Sequence, residues 1–178
     1  MTSVNPLNKA TLINTIQDAI DTHVCVAEPS ILKKFAAQFL DGAYVGDFQG
    51  CTKKDLANYF DELFKFYASY DKAEAKVEVG NKVSFNTAGS ALRGVANSGN
   101  TTISIVVKNM PFLVDSVRMV LNDLKLRIHS IQHGILYAKR SANSLSLINA
   151  HDTGAEDCAE ALIYVEVDRR DNEAELKE

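Results

Sequence analysis

The sequence has no tryptophan, only three prolines and three cysteines, and no long apolar run. Each shortage removes a class of reading. Stretches such as Ile103 to Val107 and Ala161 to Val165 fall far short of the roughly 20 apolar residues that span a bilayer. The opening residues, Met1-Thr-Ser-Val-Asn-Pro6, lack the basic start and apolar centre of a secretory signal. A cytoplasmic location with no membrane partner is expected. Cys25, Cys51 and Cys158 are odd in number and widely spaced, which argues against a disulfide framework or a zinc knuckle. They read as free thiols in structural positions, because nothing near them in sequence is arranged to stabilise a thiolate. Basic charge is also in short supply: 19 Lys and Arg against 23 Asp and Glu, with no basic stripe to neutralise a run of phosphates. Nucleic acid is therefore not an expected partner.

What the chain does have is apolar periodicity. In the first third, three sets recur at helical spacing: Leu12, Ile13, Ile16 and Ile20; Ile31, Leu32, Phe35, Ala36, Phe39 and Leu40; Leu56, Tyr59, Phe60, Leu63, Phe64 and Tyr67. Glu28-Pro29-Ser30 is a start signal for the second helix. Thr52-Lys-Lys-Asp55 has the form of a capping box, with Asp in place of the usual Glu, for the third. Residues 1–70 thus form an N-terminal helical region.

After Tyr70 the period changes to two. The runs on either side of Gly80-Asn81 predict a hairpin over 76–85, and the Gly, Asn, Ser and Ala of 86–100 predict a loop. Ile103, Ile105 and Val107 then mark a strand that stops at Asn109-Met110-Pro111. Val114, Val117, Val120, Leu121 and Leu124 give the following helix an apolar stripe, while Asp115, Arg118, Asn122 and Asp123 can face water. A long strand is expected from Leu126 to about Lys139, a short returning one over Leu145 to Ile148, and a last one in which Ile163, Val165 and Val167 face the core. They alternate with Tyr164, Glu166 and Asp168, of which Glu166 and Asp168 would form the solvated side of that half-buried strand. Asp171 to Glu178 reads as the start of an acidic helix that ends before it can bury a face. This order implies an α+β fold over residues 71–178, an antiparallel sheet with helices on one face, preceded by the N-terminal helices. The helices of 1–70 either cover the open face of that sheet or form a separate lobe.

Chemistry is harder to find. No Gly-rich dinucleotide turn, P-loop, Gly-x-Ser-x-Gly elbow or metalloprotease helix is present. His129 and His133 fall on a strand about 13 Å apart along the chain, too far to share one metal ion, and no third ligand is suitably spaced. His151, beside Asp152 in a polar loop, reads as a solvated residue. An independent enzyme using Cys51 or His151 has no supporting constellation.

The segment from Thr101 to His129, above all Met110-Pro-Phe-Leu-Val-Asp-Ser-Val117, resembles the N-terminal region of the large bacterial NAD-specific glutamate dehydrogenases, where an ACT-like unit carries a very similar run. The likeness extends more weakly through Lys82 to Asn86, His129, His133 and Tyr164 to Arg169. It departs at Gly134, where the family usually has proline. It implies an ACT-like (ferredoxin-like) core over residues 101–169. It also implies that the whole protein oxidatively deaminates glutamate with NAD, while this segment carries no cofactor and is regulatory or oligomerising. In ACT domains the turn between the first strand and first helix often helps bind an amino acid, which makes Asn109, Met110, Pro111, Phe112, Leu113 and Val114 the candidate effector residues. Backbone N–H groups at the helix start would receive a carboxylate, with the Asn109 amide supplementing them. Taken without that role, Pro111 starts the helix and Phe112, Leu113 and Val114 are core. Partners are then a small amino-acid effector, other copies of the ACT-like sheet and downstream domains. A stand-alone amino-acid-binding or protein-interaction module is the alternative.

Overall fold

Thr52 accepts a hydrogen bond from the Asp55 amide (3.2 Å) and Asp55 accepts one from the Thr52 amide (3.2 Å), the reciprocal capping box expected from the sequence. The structure, a computed structural model, describes residues 8–24, 28–81, 99–141 and 144–171. The N-terminal helices are α1 (Lys9–His23), α2 (Pro29–Gly42) and α3 (Lys53–Ala68), with a 3-10 turn at Val45–Phe48. Asn8 caps α1 through the Thr11 amide, and Pro29 occupies the first turn of α2, where its missing N–H costs nothing. The three helices bury the predicted stripes. Phe35, Phe39, Phe48 and Phe60 are essentially inaccessible and meet in stacked and edge-on pairs, with ring centroids about 6 Å apart. Each such ring stabilises the fold by about 1.5–3 kcal/mol relative to exposure.

The strands are β1 (Lys76–Gly80), β2 (Thr101–Lys108), β3 (Ile128–Ser141), β4 (Ser144–Leu147) and β5 (Ala159–Val167), with helix α4 (Leu113–Asp123) between β2 and β3. They form one antiparallel sheet in the order β1-β2-β5-β3-β4. The β2-α4-β3 crossover leaves a gap that β5 fills, so the last described strand sits at the centre of the sheet. β1 flanks β2 from outside. Its described ladder partner is β2, Val77 opposite Ile105 and Val79 opposite Ile103. The second arm of the predicted hairpin, residues 82–85, and all but Gly99 and Asn100 of the predicted loop lie outside the described residues. So does the predicted acidic helix beyond Asp171.

The two faces of the sheet carry two cores. On one, α4 covers Ile103, Ile105, Ile131, Ile163, Val165 and Val167 through Leu113, Val114, Val117 and Leu121. On the other, Val106, Leu136, Ala138, Leu147, Leu162 and Tyr164 join the buried residues of α1, α2 and α3. The N-terminal helices therefore cover the second face of the sheet instead of forming a separate lobe.

This second layer corrects the reading of β5. All nine of its residues are buried, and Glu166, expected in solvent, is wholly inaccessible. Its carboxylate accepts hydrogen bonds from Asn100 Nδ2 (3.0 Å) and the Tyr164 hydroxyl (3.2 Å), as a buried acid must to offset lost hydration. Asp168 alone of that set is solvated, and it meets His129 Nε2 at 2.7 Å.

Glu160, also on β5 and 2% exposed, is paired with Arg140 of β3 through Nε (3.0 Å) and Nη2 (3.0 Å). The same guanidinium donates to the carbonyls of Tyr67 (2.9 Å), Ala68 (3.2 Å) and Tyr70 (3.0 Å) and lies over the Tyr67 ring. Arg140 thus closes the C-terminal end of α3, where helix carbonyls lack partners, and ties it to the two central strands.

Candidate functional site

The β2–α4 turn follows directly from strand chemistry. Asn109 ends the ladder with its amide on the Ala159 carbonyl (2.9 Å). Pro111 cannot extend the strand, and Phe112 reverses the chain in the left-handed region at φ 66°. The helix begins at Leu113, two residues after the proline expected to start it, and no side chain caps it.

The six predicted effector residues divide in two. Leu113 and Val114 point under α4 and join its core, as expected. Asn109, Met110, Pro111 and Phe112 are exposed. Phe112 is 77% exposed, which corrects its placement in the core. An aromatic ring in water on a residue of unfavourable φ is a costly arrangement for the chain by itself.

A concavity lies along the flank of α4. A groove of about 590 Å³ runs between that helix and the outer strands, walled by Val77, Val79, Ile103, Val117, Val120 and Leu124. Val77 is 55%, Val120 52% and Leu124 50% exposed. Val120 and Leu124, at the margin of the apolar stripe of α4, face this groove. Sequence reading missed the groove as a feature. Its signal was the alternation of Val77 and Val79, whose side chains stand on the groove side of β1 while Lys76 reaches the opposite face to the Phe66 carbonyl (3.3 Å). None of the six turn residues lines the groove.

The remaining candidates are dispersed. Cys51 is half-buried, and burial first, then the charges of Asp55 and Glu166, push its thiol up to about 11, the opposite of an activated nucleophile. Cys158 is half-buried in a 3-10 turn, and Cys25 lies outside the described residues. His133 and His151 are exposed. Among the described residues no group of three or more His, Cys, Asp or Glu side chains is placed to hold a metal ion. No described helix is long and apolar enough to cross a membrane. The strand-to-helix turn also does not fit a dinucleotide. From Asn109 to Val114 it contains no glycine to let a pyrophosphate approach the backbone, and Phe112 occupies its left-handed position.

A single helix crossing over between two mutually parallel strands, β2 and β3, with the antiparallel β5 inserted between them and an exposed strand-to-helix turn, defines an ACT-like α+β unit. The family model for the glutamate dehydrogenase ACT1 domain matches residues 35–178, from the middle of α2 onward. The chain belongs to that family. It is 28% identical over 94% of its length to an NAD-specific glutamate dehydrogenase of Halomonas elongata, and 26% identical over 96% to one of Pseudomonas aeruginosa. In each case it spans about a tenth of the relative's length, 10%. No solved structure matches it significantly.

Proposed function

We propose that the chain is the non-catalytic regulatory or assembly segment of a large NAD-dependent glutamate dehydrogenase, whose oxidation of glutamate to 2-oxoglutarate takes place elsewhere in the protein. One observation carries this: the chain aligns almost end to end with a tenth of two dehydrogenases. The groove beside α4 is in addition walled by aliphatic side chains. Such a wall holds apolar surface but moves no proton or hydride.

The exposed turn from Asn109 to Phe112, with the helix start at Leu113 and Val114 behind it, is the part of the surface suited to a partner. Its uncapped helix start offers N–H groups to a carboxylate, and Met110 and Phe112 offer apolar area beside them. As a sensor the turn would bind an amino acid, and would regulate only by binding it differently in two states of the whole enzyme. As an assembly surface it would seat another ACT-like unit or a downstream domain. The exposed aromatic at a strained position favours assembly, because a large apolar contact offsets its cost. Calorimetry of the chain and of the whole enzyme against a panel of amino acids separates the two. Heat of binding at millimolar concentration supports the sensor, and its absence from both leaves assembly.

A further inference from the structure

Among the described residues, seven of the nine large apolar side chains left exposed belong either to β1 or to the stretch from Met110 to Leu124. Single apolar residues scattered over a surface are ordinary, but a gathering of this kind marks a contact. It has two parts. One is a cleft, the groove with Val120 and Leu124 of α4 on one side and Val77 and Val79 of β1 on the other. The other is a ridge. Met119 lies roughly opposite the buried Leu121 round α4, on the side turned away from the helix's own sheet, and is 61% exposed. A small apolar ligand would fill the cleft and leave the ridge in water. A second copy of the chain covers both, because it brings a ridge for the cleft and a cleft for the ridge, the self-complementary relation of a two-fold interface.

Charge sets the direction. Asp115 in the first turn of α4 and Lys125 just past its end are exposed and have no ion-pair partner among the described residues. Each is five residues from Val120, about 7.5 Å along a helix axis. Two copies of α4 lying antiparallel about Val120 therefore place each Asp115 beside the partner's Lys125, whereas an in-register parallel pair would set like charges together. The antiparallel pair also opposes the two helix dipoles. In the same register Ser116, a small residue lining the groove, receives the partner's Leu124.

We propose that two copies of the chain pair in this way. The α4 of each lies in the groove of the other, with Val120 meeting the partner's Val120 on the two-fold axis and Met119 resting on the partner's Val77 and the partner's Val79. The two helices then form one layer between two sheets. This inference rests on the assembly reading of the neighbouring turn and names its partner and its surface.

Cross-linking of the 178-residue chain with a short bismaleimide tests the register, the linked peptides being resolved by mass from those of Cys25, Cys51 and Cys158. Val120→Cys should link to itself roughly tenfold more than Leu124→Cys, whose two copies stand about 12 Å apart along the axis. Ser116→Cys and Leu124→Cys chains, mixed, should link to each other. In sedimentation equilibrium Met119→Glu, a change at an exposed position, should weaken self-association roughly tenfold. Self-linking of Val120→Cys no greater than that of Leu124→Cys, or self-association unchanged by Met119→Glu, would overturn the pairing and, in a parent that still associates, leave assembly to the turn alone. A parent chain that stays monomeric at high concentration would overturn both.

Discussion

Gly134 of β3 lies directly beneath Phe39 of α2, so close that a Cβ at 134 would come within 2.6 Å of the Phe39 Cα and 2.7 Å of its carbonyl oxygen. Gly42, at the end of the same helix, meets the His133 carbonyl in the same way, at 2.5 Å from an added Cβ. Two glycines thus set the distance between the helical layer and the sheet. Gly134→Ala forces backbone from backbone and is expected to cost about 1–3 kcal/mol, the range for overpacking a filled core. A lowered urea midpoint with an unchanged slope would show it, whereas an unchanged midpoint would mean that α2 moves away freely.

Arg140 is the second fastening. Arg140→Met removes a guanidinium that is bonded to Glu160, to the helix carbonyls of Tyr67 and Ala68 and to the Tyr70 carbonyl just beyond them. Lys72, whose Nζ is 3.4 Å from Glu160, compensates in part. The expected loss is about 3 kcal/mol, the lower end for breaking a buried pair and leaving its partner charged. Combining Arg140→Met with Glu160→Gln should recover part of it, and a double variant worse than the sum of the two single ones would contradict the pairing.

Alkaline pH should unfold this protein early. Burial is the first cause of the raised values of Cys51, Tyr59, Tyr67 and Tyr70. Each is neutral when protonated, so the folded state holds these protons more tightly than the unfolded chain. The stability they contribute is complete below the unfolded values of 9.0 for Cys51 and 10.0 for the tyrosines, and is lost as pH rises beyond them. Denaturant midpoints at pH 8 and pH 10.5 should fall in that order, and an equal or higher midpoint at pH 10.5 would refute this.

Phe112 separates the role of the turn from its stability. Phe112→Gly removes an exposed ring and relieves a left-handed φ, so the isolated chain should stay within about 1 kcal/mol of the parent. A core phenylalanine would cost about 3–5 kcal/mol instead. In sedimentation equilibrium the parent chain is expected to self-associate at high concentration and the variant less so. A strictly monomeric parent would count against assembly through this turn.

Much of this arrangement was legible in the sequence where the information is local. The Thr52–Asp55 capping box, the Pro29 helix start and the alternation of Ile163, Val165 and Val167 all act over a few residues. Glu166 was misread because alternation along one strand says which residues share a face, not whether a helix distant in sequence covers that face. Phe112 was misread for a related reason: the apolar character of Met110 to Val114 does not show that the chain turns outward in the middle of it. The width of the α4 stripe, from Val117 round to Leu124, was visible but had no meaning until the position of β1 left part of it uncovered.

The central claim is that this segment serves an enzyme without performing its chemistry. The most direct measurement is NAD reduction by the purified chain with saturating glutamate, followed by the absorbance of the reduced nicotinamide. No glutamate-dependent rate above the blank is predicted, and measurable turnover by these 178 residues alone would contradict the account.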